Sequence, residues 1–228
     1  MKTIIVTGAT GNLGQAVIRK FLAEGCAVIG TVTKKKPTVF DDQPGFEACA
    51  VDLTSEEEVT SAMTTILRKY QTIDAAVLTA GGFAMGKIED SDINAIRQQY
   101  QLNFETAYII ARFIFQQMMK QKTGRIFLTG SRPGSDMRSG KGMTGYALSK
   151  SLLFRLAELM NEEAKGTNVV TSVIIPSTID TPQNRSAMPD ADFSKWVTPE
   201  NIADIVFTHC TTSFDTLREP LIKIYNKA

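Results

Sequence analysis

Short runs of β-branched and aliphatic residues alternate along this chain with longer stretches in which apolar side chains recur every three or four positions. The short runs are apolar almost without interruption, as in Ile4-Ile5-Val6 and Val173-Ile174-Ile175. A strand that is apolar on both sides is covered on both faces, which is the situation of parallel strands packed between helices. The pattern predicts seven strands, near residues 3–7, 27–32, 47–51, 73–79, 125–129, 169–175 and 221–225. Between them it predicts helices near 13–24, 56–70, 93–120, 146–165 and 200–209. Start signals support several of these: Thr54 or Ser55 ahead of Glu56-Glu57-Glu58, Ser91 ahead of Asp92, and Thr198 with Pro199 at the first helical position. Strand and helix in alternation imply a doubly wound α/β fold. Two long irregular stretches, 130–145 and 176–197, each follow a strand; ligands of such folds bind outside the carboxyl ends of strands, and loops of this length usually serve function.

Composition narrows the partners. A chain of 228 residues with 43% hydrophobic content buries one substantial core, so a single domain over 1–228 is expected. Lysine and arginine number 25 against 24 acids, which leaves no electrostatic footprint for nucleic acid or an anionic membrane. A small molecule is the expected partner. Cys26, Cys49 and Cys210 are odd in number and far apart, so neither a disulfide framework nor a metal site is expected, and the three read as buried thiols in a reducing compartment. The apolar start is too short for a signal-peptide core, and no stretch approaches the ~20 residues that span a bilayer. The chain is expected to be soluble and cytoplasmic.

Chemistry enters at the junction of the first strand and first helix, Thr7-Gly8-Ala9-Thr10-Gly11-Asn12-Leu13-Gly14, with glycines at 8, 11 and 14. Glycine permits a tight turn with positive φ and lets backbone approach a pyrophosphate, while the helix start offers free N–H groups to phosphate oxygens.

From this turn onward the chain resembles the short-chain dehydrogenase/reductase family over nearly its whole length. The turn is read as that family's Thr-Gly-x-x-x-Gly-x-Gly, and Asp52 in Val51-Asp52-Leu53-Thr54 matches its acidic residue beside the adenine. Ala80-Gly81-Gly82 stands where the family has Asn-Ala-Gly, and Asn103 matches its helix asparagine. Tyr146-Ala147-Leu148-Ser149-Lys150 is its Tyr-x-x-x-Lys signature, and Pro176-Ser177-Thr178-Ile179-Asp180-Thr181 resembles its Pro-Gly-x-x-x-Thr segment. The resemblance implies a Rossmann-type fold and nicotinamide-dependent oxidoreduction. It places the cofactor along Gly8, Thr10, Asn12, Leu13, Gly14, Thr33, Lys34, Asp52, Leu53, Ala80, Gly81, Gly82, Pro176, Ile179 and Thr181, together with Tyr146 and Lys150.

The end of the second strand bears on which dinucleotide is bound. Members that prefer NAD carry an acid there for the ribose hydroxyls, whereas this chain reads Thr31-Val32-Thr33-Lys34-Lys35-Lys36. Three cations beside the ribose attract a 2′-phosphate, so NADP(H) is favoured, with NAD(H) as the alternative; a solvated lysine loop is the plainer account of the same residues.

Tyr146 and Lys150 are four apart and share one helix face. A free phenol has a pKa of ~10, and a neighbouring ammonium is expected to lower it, so that Tyr146 delivers a proton while the nicotinamide delivers hydride. In the family the lysine also bonds the nicotinamide ribose and the asparagine helps hold a relay water, which implies these roles for Lys150 and Asn103. The family's serine stands thirteen residues before the tyrosine, where this chain has Pro133. Ser131 is the nearest candidate if the loop carries a two-residue insertion, ahead of Ser135 and Ser139.

Within the family the chain looks most like the quinonoid dihydropteridine reductases. The carriers of this likeness are Gly82-Phe83, Gly142-Met143-Thr144-Gly145 ahead of Tyr146, and the long segment from Ile179 to Trp196. It implies a small carbonyl, imine or quinonoid, pterin-like substrate. The chain departs from that group in lacking the second-strand acid and in carrying Asn103. The loop 176–198 is expected to be a substrate lid, with Arg185, Met188 and Trp196 as tentative substrate contacts. Phe193 and Trp196 could equally anchor the loop, and Arg185 could bind an anionic group or pair with Asp190. A non-catalytic NAD(P)H sensor or scaffold is the alternative function. A homodimer or homotetramer is implied through the helices near 93–120 and 146–165, with Phe113, Phe115, Met118 and Met119 as its apolar surface.

Overall fold

Seven parallel strands make one sheet: β1 (Thr3–Thr7), β2 (Ala27–Val32), β3 (Phe46–Ala50), β4 (Ala75–Leu78), β5 (Thr123–Thr129), β6 (Asn168–Pro176) and β7 (Leu221–Ile224). Their order is β3-β2-β1-β4-β5-β6-β7. This is a computed structural model, and it describes residues 1–33, 37–211, 216–218 and 221–227. The order reverses direction between β1 and β4, which puts the topological switch point beside the glycine turn and opens a crevice there.

Alternate strand residues feed two cores, one on each face. Ile5, Ile29, Ala76, Ile126, Leu128 and Val173 pack with α2 (Glu56–Tyr70), α4 (Thr106–Gln121) and α6 (Thr144–Glu163). Ile4, Val6, Val28, Val77, Phe127 and Ile174 pack with α1 (Asn12–Ala23) and α8 (Pro199–Thr208). The doubly wound fold is therefore the one the uninterrupted apolar strands predict.

Helix ends follow side-chain capping, with one change of residue. Ser55 Oγ accepts from the Glu58 N–H, and Thr198 Oγ1 from the Asn201 N–H ahead of Pro199. At α3 (Ile93–Tyr100) the cap is Asp92, accepting from Ala95 N–H, while Ser91 donates to the Lys87 carbonyl instead.

The helix expected over 93–120 is broken. A π-turn, Gln101–Glu105, separates α3 from α4, and the Thr106 hydroxyl donates to the Leu102 carbonyl at 2.8 Å. Apolar periodicity runs through both halves, so the extra residue left no trace in the pattern; π-turns concentrate at functional sites. The stretches read as irregular contain short helices: α5 (Arg132–Ser135), α7 (Pro182–Ala187) and single 3₁₀ turns at Met137–Gly140 and Phe193–Lys195.

The apolar surface named for assembly needs correcting. Met118 is fully buried in the core, and Phe113, Phe115 and Met119 pack partly buried against it. On the same helices the exposed apolar residues are Ile93, Tyr100, Tyr108, Leu148 and Leu159. Of the cysteines, Cys26 is buried while Cys49 and Cys210 are half-buried, and none forms a disulfide. No helix among the described residues is long and apolar enough to cross a membrane.

Candidate functional site

The glycine turn is built by bonds to both neighbouring strands. Gly8 N–H donates to Thr31 Oγ1 at 3.3 Å and Ala9 N–H to the Thr31 carbonyl at 3.0 Å. Across β4, Ala80 N–H donates to Thr7 Oγ1 and Thr79 Oγ1 to the Thr7 carbonyl. Gly8 has φ +67°, and a Cβ on Gly14 would stand 2.2 Å from the Gly8 carbonyl oxygen. These two positions demand glycine. Gly11 is less constrained: its φ is −77°, and a Cβ there would lie 3.3 Å from the Gly8 carbonyl oxygen. The spacing is in fact Thr-Gly-x-x-Gly-x-x-Gly, with the middle glycine one residue earlier than in the family pattern the turn was read as. Gly11 instead occupies the N-cap of α1, where no side chain caps the first N–H groups. Around this turn, Thr10 and Thr33 are exposed, Leu13 is buried, and Asn12 Nδ2 donates to Gln183 Oε1 of α7 at 2.8 Å. Lys34, Lys35 and Lys36 lie outside the described residues.

Asp52 sits past β3 with its carboxylate accepting from Thr54 N–H and Oγ1, bonds that hold it below the usual carboxylate range. The adjoining Leu53 is buried in the core.

At the ends of β4 and β5 the other predicted residues converge. Lys150 is 5% exposed and its Nζ donates to the Thr129 carbonyl at 2.7 Å. Asn103 is fully buried; its Oδ1 accepts from Gly82 N–H at 3.0 Å. A Cβ on Gly81 would lie 2.7 Å from Asn103 Oδ1 and 3.3 Å from Lys150 Nζ. Ser131 caps α5 by accepting from Gly134 N–H, and its hydroxyl lies close enough to Tyr146 to favour the ionised phenol. Phe83, 58% exposed, stands edge-on to the Tyr146 ring with centroids 5.0 Å apart.

The electrostatics differ from expectation. Burial pushes the Tyr146 phenol above its ordinary value, and the Ser131 hydrogen bond is what opposes it. Burial brings the Lys150 amine down to about 8. The lysine is directed at the Thr129 carbonyl, with its Nζ 6.0 Å from the Tyr146 ring centroid, so the anticipated lowering of the phenol by the ammonium is not seen. Desolvation dominates, and only Ser131 works against it.

The stretch 176–198, expected to be a lid, is a structured unit. Its base is closed by Val197 N–H to the Thr178 carbonyl and Asp180 N–H to the Val197 carbonyl. Pro176 is buried, Ile179 is bridged to Val197, and Thr181 Oγ1 caps α7 by accepting from Asn184 N–H. Arg185 makes a bidentate pair with Asp180, at 2.6 and 2.7 Å, and lies over the Phe193 ring. Its partner is thus Asp180, five residues back, and not Asp190. Met188 is exposed, while Trp196 is buried, with its carbonyl held by Asn226 Nδ2.

Sequence reading passed over Gln99, Ser149 and Gln183. Gln99 was within reach, since it stands one helical turn before Asn103; Ser149 and Gln183 touch residues far away in sequence. A cavity of about 670 Å³ between Lys87, Ile88, Met137, Lys141 and Leu148 is not lined by Tyr146 or Lys150.

A nucleotide is the group this turn implies, and the residues fit it. The α1 start is uncapped, Gly8 and Gly14 leave it bare of side chains, and the Thr129 hydroxyl is buried without a partner at the end of β5. The fold and the site define a nicotinamide-dependent Rossmann oxidoreductase. The short chain dehydrogenase family model matches residues 2–192, and the chain belongs to that family. A dihydropteridine reductase of Dictyostelium discoideum is 27% identical, with 93% of this chain and 89% of that protein covered. A 3-oxoacyl-[acyl-carrier-protein] reductase of Salmonella typhimurium is 25% identical over 83% of this chain and 78% of its own. Among solved structures, the closed form of a serine dehydrogenase complexed with NADP+ superposes with a TM-score of 0.87 at 18% identity, covering 97% of this chain and 94% of that one.

Proposed function

We propose that the chain is an NADP(H)-preferring reductase of a small carbonyl, imine or quinonoid compound, with Tyr146 as proton donor. The observation that carries this reading is the junction of Ser131, Tyr146, Lys150 and Asn103 at the carboxyl ends of β4 and β5, beside the glycine turn. When bound, the cofactor supplies hydride. Gly8, Thr10, Asn12, Leu13 and Gly14 would hold its diphosphate, Asp52 and Leu53 its adenine, and Thr33 and Lys34 its ribose end. Ala80, Gly81, Gly82, Pro176, Ile179 and Thr181 would flank its nicotinamide half. The absence of an acid at the end of β2 supports the phosphorylated dinucleotide, as does the NADP+ complex of the structurally similar serine dehydrogenase.

Tyr146 is suited to give a proton rather than take one, because burial keeps its phenol protonated at neutral pH. Ser131 orients the hydroxyl. Lys150 binds through N–H groups that the Thr129 carbonyl does not use, and Asn103 shapes the Gly81–Gly82 backbone opposite. The substrate enters under the lid, near Arg185, Met188, Phe83 and the Phe193–Trp196 pair. The similarity to a dihydropteridine reductase supports a flat electrophile. Assembly through the exposed residues of α3, α4 and α6, and residence in the cytoplasm, complete the reading.

The test is loss of reduced-nicotinamide absorbance across a panel of carbonyl, imine and quinonoid compounds. Consumption with at least one class supports the reading. NADPH binding with no turnover across the panel would instead favour a sensor.

A further inference from the structure

Gln99 belongs to no motif, yet it is one of the few buried polar side chains of this fold, 6% exposed. It reaches from α3 into the site one turn ahead of the π-turn that carries Asn103. The asparagine amide is completely specified by its surroundings. Its Nδ2 donates to Gln99 Oε1 at 3.2 Å and to Ser149 Oγ at 3.3 Å, while its Oδ1 takes the Gly82 N–H. Ser149 spends its own proton on the Tyr146 carbonyl at 2.9 Å, which leaves its oxygen facing Asn103 as an acceptor. With two acceptors on one side and a donor on the other, only one orientation of the carboxamide satisfies all three. The reverse orientation would set an NH₂ against the Gly82 N–H.

The consequence reaches the backbone ledge opposite Lys150. Gly81 leaves no room for a Cβ between Asn103 Oδ1 and Lys150 Nζ, so turning the asparagine amide shifts the ledge against the amine. Gln99 lies close against α6, where a Cβ on Gly145 would stand 3.2 Å from its Cγ.

We infer that Gln99 is a positioning residue: with Ser149 it fixes the Asn103 amide, and through it the Gly81–Gly82 ledge that grips the nicotinamide half of the cofactor. This rests on the function proposed above. It acts without touching the reacting atoms, so its removal is selective for one half of the dinucleotide.

The experiment compares binding of NADPH, followed by its fluorescence, with binding of adenosine 2′,5′-bisphosphate, which reports the adenosine half alone. Gln99→Leu is expected to weaken NADPH about five- to tenfold, the worth of one hydrogen bond, and to leave the bisphosphate unchanged. Gln99→Glu keeps an accepting oxygen at the same place and is expected to restore NADPH binding to within about threefold. Equal losses for both probes, or no loss of either, overturn the inference, as does a Gln99→Glu protein no better than Gln99→Leu. Should Gln99→Leu fail to fold, Ser149→Ala removes the other acceptor and must show the same selectivity. A wild-type chain that binds the bisphosphate and not NADPH contradicts the inference, and one that binds neither sinks the parent reading first.

Discussion

The buried end of the sheet and the stretch 176–198 are held by different kinds of bond. Around Lys150, buried polar groups are tied to residues distant in sequence, Lys150 to Thr129 and Asn103 to Gly82 and Ser149, while the Thr129 hydroxyl is left without a partner. In the stretch 176–198 many bonds are local and more exposed, as from Arg185 to Asp180, Asn184 to Thr181 and Ser194 to Asp192, with Gln183 and Trp196 tying it to Asn12 and Asn226. A buried group that loses its partner pays the full desolvation cost, whereas an exposed pair gives little and is readily remade in water. The buried end is therefore expected to hold one geometry, and the Arg185–Asp180 end of the 176–198 stretch to yield more readily.

This contrast can be broken at several points. The largest effect is expected at Gly14, where an alanine Cβ would lie 2.2 Å from the Gly8 carbonyl oxygen. Gly14→Ala should weaken dinucleotide binding by more than about 100-fold, well over 2 kcal/mol, while Gly11→Ala, at an ordinary φ and with its Cβ 3.3 Å from the same oxygen, should weaken it by no more than about tenfold. Calorimetric titration of both proteins with NADPH checks the pair; equal behaviour would mean that the turn is not what holds the cofactor.

The next effect is on pH. Burial brings the Lys150 amine down to about 8, and kcat/KM reports free-enzyme groups. Its ammonium is the binding form, so reductive kcat/KM should be level below that pH and fall about tenfold per unit above it. The Tyr146 phenol, shifted upward, stays protonated through the same window and adds no limb there. A profile rising through pH 8 would reverse the assigned roles.

The smallest effect belongs to the lid. Asp180→Asn releases Arg185 from its bidentate partner at an exposed site, and a rise of about two- to fivefold in substrate KM is expected, with NADPH affinity unchanged. Steady-state kinetics on the best compound of the panel measures it. A collapse of kcat in this variant would place the lid in the same rigid unit as the buried end.

The same contrast explains what the sequence made legible. The sheet was readable because parallel strands buried on both faces are apolar throughout, and Tyr146 with Lys150 because a four-residue step on a helix always shares a face. The π-turn at Gln101–Glu105 escaped because apolar residues recur on both sides of it in the sequence, although of the two flanking helices only α4 buries its apolar residues and α3 buries Gln99 alone. Met118 was assigned to the surface because a helix buried on more than one side shows no clean polar face; it lies wholly in the core. Arg185 has acids on both sides in sequence, Asp180 and Asp190, and only the turn into α7, capped by Thr181, decides between them. The sign of the Tyr146 shift was unreadable for a different reason. It depends on how deeply the ring is buried, and a helix-face argument places a neighbour without weighing solvent.

The central claim is that the Tyr146 hydroxyl supplies the proton beside a bound reduced nicotinamide. Single-turnover oxidation of NADPH by wild type and by Tyr146→Phe, both saturated with cofactor, tests it most directly. A loss of about 10³-fold in rate with an unchanged NADPH dissociation constant is expected; equal rates in the two proteins would contradict it.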